Sequence, residues 1–200
     1  GEDGMLWGGD VLWGKSGRWR RVARFRPFRL TGGDRAGREP WRSAAALCWA
    51  TGAEVPSAPE GFEIARQAWE KQVNTFETTA VGRIFDAAAC LVTGLTHASF
   101  EAQGPMRLET LASGATGQSS PIPISRTGPD LWQVDWAPLI DQLLNTNRSD
   151  AERSADFHAS MAQVVPDLAR ELAPHFPHTQ IGLTGGVFQN ARLVQDILDR

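Results

Sequence analysis

Near its end the chain runs Leu183-Thr184-Gly185-Gly186-Val187-Phe188-Gln189-Asn190: an apolar stretch, two glycines, then helical periodicity. The apolar residues 180–183 predict a short strand, and 188–200 predicts a helix running to the last residue. A strand cannot stand alone, because its backbone N–H and C=O groups need ladder partners. The segment therefore demands a sheet elsewhere and helices to cover it. That restricts the chain to mixed α/β architectures.

Strand partners are available early. Residues 6–13 and 19–28 alternate around Lys15-Ser16-Gly17 and predict a hairpin. Arg20, Arg24 and Arg26 fall on one side of the second strand, with Trp19, Ala23 and Phe25 on the other. Pro27 predicts that this strand ends there or lies at an edge. Further short strands are expected at 121–124 and 131–134. Between them, Pro40 opens a helix that Gly52 closes. Residues 62–73 predict an amphipathic helix with Ile64, Ala68 and Val73 on one face. Residues 79–94 predict a stronger one, with Val81, Ile84, Phe85, Ala88, Leu91 and Val92 at helical spacing. Thr78 or Thr79 is its expected cap, and Gly94 its expected stop. Helices are also expected at 106–112, 137–144 and 150–173, the last bent near Pro166. The chain reads as one partial domain, 1–200, truncated at both ends.

Composition removes several function classes. Hydrophobic residues make up 42% and charged residues 22%, enough for a packed core. Apolar runs such as 44–50 fall short of the roughly 20 residues a membrane helix needs, so no membrane partner is expected. Cys48 and Cys90 form no CxxC pattern and read as small buried hydrophobes, which points away from a disulfide scaffold and toward the cytoplasm. His97, His158, His175 and His178 share no metal-ligand spacing. Residues 1–42 hold ten Lys and Arg against five Asp and Glu, a basic face suited to an anion such as a nucleotide. No helix-turn-helix, finger or RNA-binding signature accompanies it, so no nucleic-acid partner is expected.

Four segments have the makings of a site. Gly185-Gly186 lets a ligand approach the backbone, and the helix after it offers free N–H groups, with Asn190 in its first turn. A tight turn packing helix on strand would look the same. Asp86 interrupts an alanine-rich helix, Gly82-Arg83-Ile84-Phe85-Asp86-Ala87-Ala88-Ala89, where aspartate is a poor helix former. Its carboxylate can accept two ribose hydroxyls, or simply face solvent. Glu101 and Gln103 lie in the loop that follows. Arg35, Arg38 and Arg42 sit in and after a glycine loop, and either clamp an anion or pair with Asp34 and Glu39.

Taken together, six segments resemble the hydrogenase-maturation carbamoyltransferase family (HypF), in its C-terminal domain, which is similar to the tRNA threonylcarbamoyladenosine synthase (TsaD-type) proteins. They are Gly1-Glu2-Asp3-Gly4 through Trp7-Gly8-Gly9-Asp10; Arg26-Pro27-Phe28 through Gly33-Asp34-Arg35-Ala36 to Arg38-Glu39-Pro40-Trp41-Arg42-Ser43-Ala44; Val81 through Ala89; Ser99-Phe100-Glu101; Pro105-Met106-Arg107-Leu108-Glu109; and Thr184 through Asn190. They stand in the family's order across nearly the whole chain.

The resemblance implies an α/β, actin-like ATPase fold (ribonuclease H-like, ASKHA-type), present in part. It implies ATP and carbamoyl phosphate as substrates and a carbamoyl-adenylate intermediate. The carbamoyl group would pass to the C-terminal Cys thiol of a HypE-like partner. By position Asp86 would hold the ribose with Glu101 close by, and Gly185, Gly186 and Asn190 would lie against the nucleotide. Arg35 and Arg38 would meet the carbamoyl or phosphate group. No catalytic residue is identified. The family's divalent metal, Zn or Fe, would take its ligands outside this chain, which alone is expected to be inactive. Two alternatives stand beside this: a related O-carbamoyltransferase acting on a small molecule, and a nucleotide-binding remnant that docks a partner without turnover.

Overall fold

The hairpin forms where alternation is strongest. In the computed structural model, which describes residues 1, 3–177 and 180–200, strand β1 (Asp10–Lys15) pairs antiparallel with β2 (Arg18–Phe25) across the Ser16-Gly17 turn. β1 starts later than expected, and Leu6 instead makes an isolated parallel bridge to Thr78. β2 stops at Phe25, two residues before Pro27. It pairs in parallel with β6 (Leu131–Val134), which pairs antiparallel with β5 (Ile124–Gly128), giving the order β1-β2-β6-β5. Beyond Pro27 the chain does not continue β2. It starts β3 (Phe28–Thr31), which pairs with β4 (Thr75–Thr78) in a separate two-stranded sheet.

Helix α1 (Pro40–Thr51) begins on its proline and ends on Gly52 in the left-handed region, φ +75°. It buries Trp41, Ala44, Ala45, Leu47 and Cys48 against α3 (Val81–Thr93). Small residues on both helices, Ala44 and Ala45 with Ala87 and Ala88, are almost wholly buried there. α3 also ends on a left-handed glycine, Gly94. Its N-cap is Ala80 rather than Thr78 or Thr79; Thr78 contributes from outside, its Oγ1 accepting from the Ala80 N–H at 3.0 Å.

Helix α2 (Phe62–Glu70) turns a different face inward from the one expected. Phe62 and Ala65 are buried and Trp69 is half-buried, while Ile64 is 76% exposed. The aromatic pair wins because it packs on Trp49, with ring centroids 5.4 and 5.6 Å away.

The remaining helices are α4 (Gln103–Ala112), α5 (Pro138–Leu144), α6 (Asp150–Leu172) and α7 (Ala191–Leu198). α6 opens with a reciprocal Ser149–Glu152 capping box and carries Pro166 within it. The strand expected at 180–183 does not form. Residues 180–183 are exposed and unpaired, because no described strand offers them a ladder. The helix expected from 188 splits into a 3-10 turn, Gly186–Gln189, and α7. His178 lies outside the described residues.

The core runs through Trp132, Trp136, Phe85, Phe157, Leu139 and Leu143, between the larger sheet and helices α1, α3, α5 and α6. Cys48 and Cys90 are buried and unbridged; burial pushes their thiols up to about 11 and about 12. Among the described residues no helix is long and apolar enough to cross a membrane.

Candidate functional site

Helical spacing puts Arg83 and Asp86 on one face of α3, three residues apart. The Asp86 carboxylate is nearly buried, 6% exposed, with Arg83 Nη1 at 2.8 Å from Oδ2. One of the two Arg83 Nη1 hydrogens goes to the Ala36 carbonyl, 3.0 Å away, while the same nitrogen holds Asp86 Oδ2 in the ion pair. Ala36 belongs to the 3-10 turn Gly33–Gly37, so one guanidinium bridges that turn to the carboxylate. Burial pushes the Asp86 carboxyl up to about 6; Arg83 opposes the rise and the Glu101 carboxylate adds to it. The aspartate expected either to hold a ligand or to face water is therefore turned inward.

Glu101 comes close because α4 sits tightly on α3. Gly104 makes this possible: a Cβ at that position would stand 2.9 Å from the Ala89 Cβ and 3.9 Å from Asp86 Oδ1. Ala102 enters α4 in the left-handed region, φ +62°, and Gln103 Oε1 accepts from the Ser99 N–H at 2.7 Å. Asp86 is thus buried beside an exposed Glu101. On the outer side of α4 an open groove of about 530 Å³ is lined by Phe100, Met106, Arg107 and Leu111, without Asp86.

The arginine loop divides its two candidates. Arg35 Nε donates to Glu39 Oε1 at 2.8 Å, while Arg42 Nε donates to Glu39 Oε2 at 2.5 Å. Burial alone would raise the Glu39 carboxyl, but these two hydrogen bonds outweigh it and hold it below the usual carboxylate range. Arg42 is buried, its guanidinium 4.4 Å from the Trp41 ring centroid. Gly32, at φ +99°, leaves room for it; a Cβ there would lie 2.7 Å from Arg42 Cδ. Arg38 is exposed and forms no ion pair among the described residues. Its carbonyl accepts from the Ala98 N–H at 2.8 Å, tying the turn to the loop after α3. Arg35, Arg38, Asp86 and Glu101 therefore belong to one connected region.

The glycine turn reaches the same helix. Gly185, at φ +102°, and Gly186 are exposed, and the 3-10 turn they open packs against α3. Asn190 is buried. Its Oδ1 accepts from the Leu193 N–H at 2.8 Å, and its Nδ2 stands 3.0 Å from His158 Nε2. The amide therefore presents its NH₂ to the imidazole, and Nε2 must accept. His158 Nδ1 lies 2.7 Å from the Ser154 carbonyl and carries the proton. Burial holds this histidine below its usual pKa, in the neutral form this geometry needs.

Two residues that local pattern did not single out complete the arrangement. One is His158 as partner to Asn190. The other is Glu109, whose Oε1 accepts from the Ala191 N–H at 2.7 Å and the Arg192 N–H at 3.3 Å. The first amides of α7 are occupied by Glu109 and Asn190, so that helix does not offer them free, contrary to the expectation for the helix after Gly186. Among the described residues no group of three or more His, Cys, Asp or Glu side chains is placed to hold a metal ion.

Comparison with known proteins gives consistent matches. The family described as carbamoyltransferase, Kae1-like domain, second subdomain, matches residues 1–200. The carbamoyltransferase HypF of Rhodobacter capsulatus is 39% identical over 200 residues, covering 96% of this chain and 26% of that protein. The Synechocystis carbamoyltransferase HypF is 30% identical over 219 residues, covering 97% and 28%. Among solved structures, full-length HypF in a phosphate- and nucleotide-bound form superposes with a TM-score of 0.87 at 22% identity, over 100% of this chain and 32% of that one. HypF of T. kodakarensis superposes with a TM-score of 0.80 at 24% identity, over 96% and 27%. The chain thus has the mixed α/β fold of part of these proteins, and spans about a quarter of the length of the Rhodobacter and Synechocystis relatives.

Proposed function

The chain belongs to the carbamoyltransferase HypF family, and on that premise we propose that it contributes the nucleotide-holding part of an ATP-dependent carbamoyltransferase of NiFe hydrogenase maturation. The carbamoyl group of a carbamoyl-adenylate, made from carbamoyl phosphate and ATP, passes to the C-terminal cysteine of a HypE-like protein in the cytoplasm. The thiolate sulfur attacks the carbamoyl carbon, a C–S bond forms, the C–O bond to phosphate breaks and AMP leaves. A mixed anhydride of this kind is reactive already. The protein must hold it, keep water away and aim the thiolate.

The observation that carries this reading is the Asp86 carboxylate: nearly buried, ion-paired through Oδ2 to Arg83, with Oδ1 on the side where Gly104 leaves space and a second carboxylate nearby. An acceptor in that state suits the vicinal hydroxyls of a ribose. Glu101 adds an acceptor at the mouth. Gly185 and Gly186 lie against the nucleotide, and Asn190 holds their turn in place from within. Arg38, and Arg35 beside Glu39, face the phosphate or carbamoyl end. The family's divalent ion would take its ligands from other parts of the full-length protein. That a HypF structure is nucleotide-bound supports ATP as ligand.

The test is ATP binding to the full-length protein by calorimetry, with Asp86→Ala as the control, followed by carbamoyl transfer to the HypE-like partner. Binding that Asp86→Ala weakens tenfold or more supports the site. A folded protein that binds ATP equally well with Asp86→Ala overturns it.

A further inference from the structure

We infer that Arg83 is a positioning residue for the nucleotide site, one that keeps the Asp86 carboxylate in its hydrogen-bond-accepting form and fastens the arginine-bearing turn to the same helix. This rests on the reading of Asp86 as a ribose acceptor and extends it to a residue that touches no ligand.

The geometry carries it. One nitrogen, Arg83 Nη1, serves two elements: it donates to the Ala36 carbonyl at 3.0 Å and stands 2.8 Å from Asp86 Oδ2. Nη1 carries two hydrogens, one of them committed to Ala36, and it sits against Oδ2, so the oxygen left for a ligand is Oδ1, on the Gly104 side. The charged groups facing Asp86 are Arg83 on its own helix and Glu101 ahead of α4. Both burial and Glu101 favour protonation of Asp86, and Arg83 alone opposes it. A protonated carboxyl would turn one acceptor oxygen into a donor and lose affinity for a diol. Ala36 precedes Gly37 and Arg38 directly, so the same guanidinium also sets the turn from which Arg35 and Arg38 project.

The experiment measures adenosine binding to the full-length protein by calorimetry between pH 5 and 8. Adenosine has the ribose but no phosphate, and no group of its own titrates in this range. For the unmodified protein affinity is expected to fall about tenfold per pH unit below pH 6. Arg83→Met should move the midpoint upward by a pH unit or more. Arg83→Lys, which keeps the charge, should restore it. Arg83→Gln, which keeps a donor for Ala36 without the charge, should shift the midpoint as Met does while preserving protease resistance at residues 32–39; it also serves if the Met variant does not fold. Midpoints unchanged in Arg83→Met and Arg83→Gln, with Asp86→Asn abolishing the pH dependence, would overturn the role of Arg83 and leave Asp86 standing. An Asp86→Asn protein that binds adenosine with the original profile, or a folded parent protein that does not bind adenosine, overturns the underlying reading and this inference together.

Discussion

His158 Nε2 accepts a hydrogen from Asn190 Nδ2 across 3.0 Å, joining the middle of α6 to the first turn of α7. The bond exists only while His158 is neutral, because a protonated imidazole would present a donor to a donor. Burial supplies that condition by disfavouring the charged ring. A histidine that shares no metal-ligand spacing with the others in the sequence thus fixes the residue that ends the glycine turn.

The pH dependence follows in sign. The pKa of His158 is lower in the folded protein than in the unfolded chain, so the unfolded chain binds the extra proton as pH drops below about 6.5. Stability is fully present above that pH and is lost on acidification, by up to about 1.4 kcal/mol per pH unit, until the folded histidine itself titrates. Urea unfolding at pH 7 and pH 5 should show a smaller loss for His158→Gln than for the unmodified protein. An equal loss would mean that the ring does not contribute.

Asp86 has the opposite sign. Its folded pKa, about 6, lies above the usual 3.8, so the folded protein takes up a proton as pH falls through 6 and is relatively stabilised. Above pH 6 the buried charge is a standing cost of roughly 2–3 kcal/mol. Asp86→Asn should therefore raise Tm at pH 8, with the difference shrinking toward pH 5. A destabilised Asn variant at pH 8 would show that the Arg83 ion pair outweighs the desolvation.

Glu39 should be among the least replaceable residues of the arginine loop. Glu39→Gln leaves the buried Arg42 guanidinium without its counter-charge, a loss expected to cost roughly 3–5 kcal/mol. Arg35→Ala, on a side chain 70% exposed, should cost under about 1 kcal/mol. Denaturant titration of both variants checks the contrast.

Gly104→Ala forces a methyl group to within 2.9 Å of the Ala89 Cβ. Separation of α4 from α3 is expected to cost roughly 1–3 kcal/mol and to weaken nucleotide binding, since Glu101 moves with α4. Ala89→Gly in the same protein should recover most of both. Loss of binding without loss of stability would instead place the methyl in the ligand's path.

Helices bounded by their own signals were legible in the sequence. α1 has Pro40 and Gly52, α3 has its Val81-to-Val92 periodicity and Gly94, and the bounds of β6 match residue for residue. Pairings that depend on distant residues were not. β3 and β4 are four residues each and pair with one another, with Leu6 bridging to Thr78 from far along the chain, and 180–183 has the apolar character of a strand but no ladder. On α2 the aromatic residues decided the buried face over Ile64. The site divides the same way. Asp86 stands out locally as a carboxylate among alanines, whereas Glu109 acts on an amide 82 residues away and leaves no trace in local pattern.

Helix α4 touches both halves of the site. Gly104 in its first turn abuts Asp86, and Glu109, five residues on and about 7.5 Å along the axis, grips the start of α7. A helix this short behaves as a stiff rod. The seating of α4 on α3 and its grip on the start of α7 are therefore two contacts of one rigid element, and a substitution that tilts the helix at Gly104 is felt at Ala191 as well.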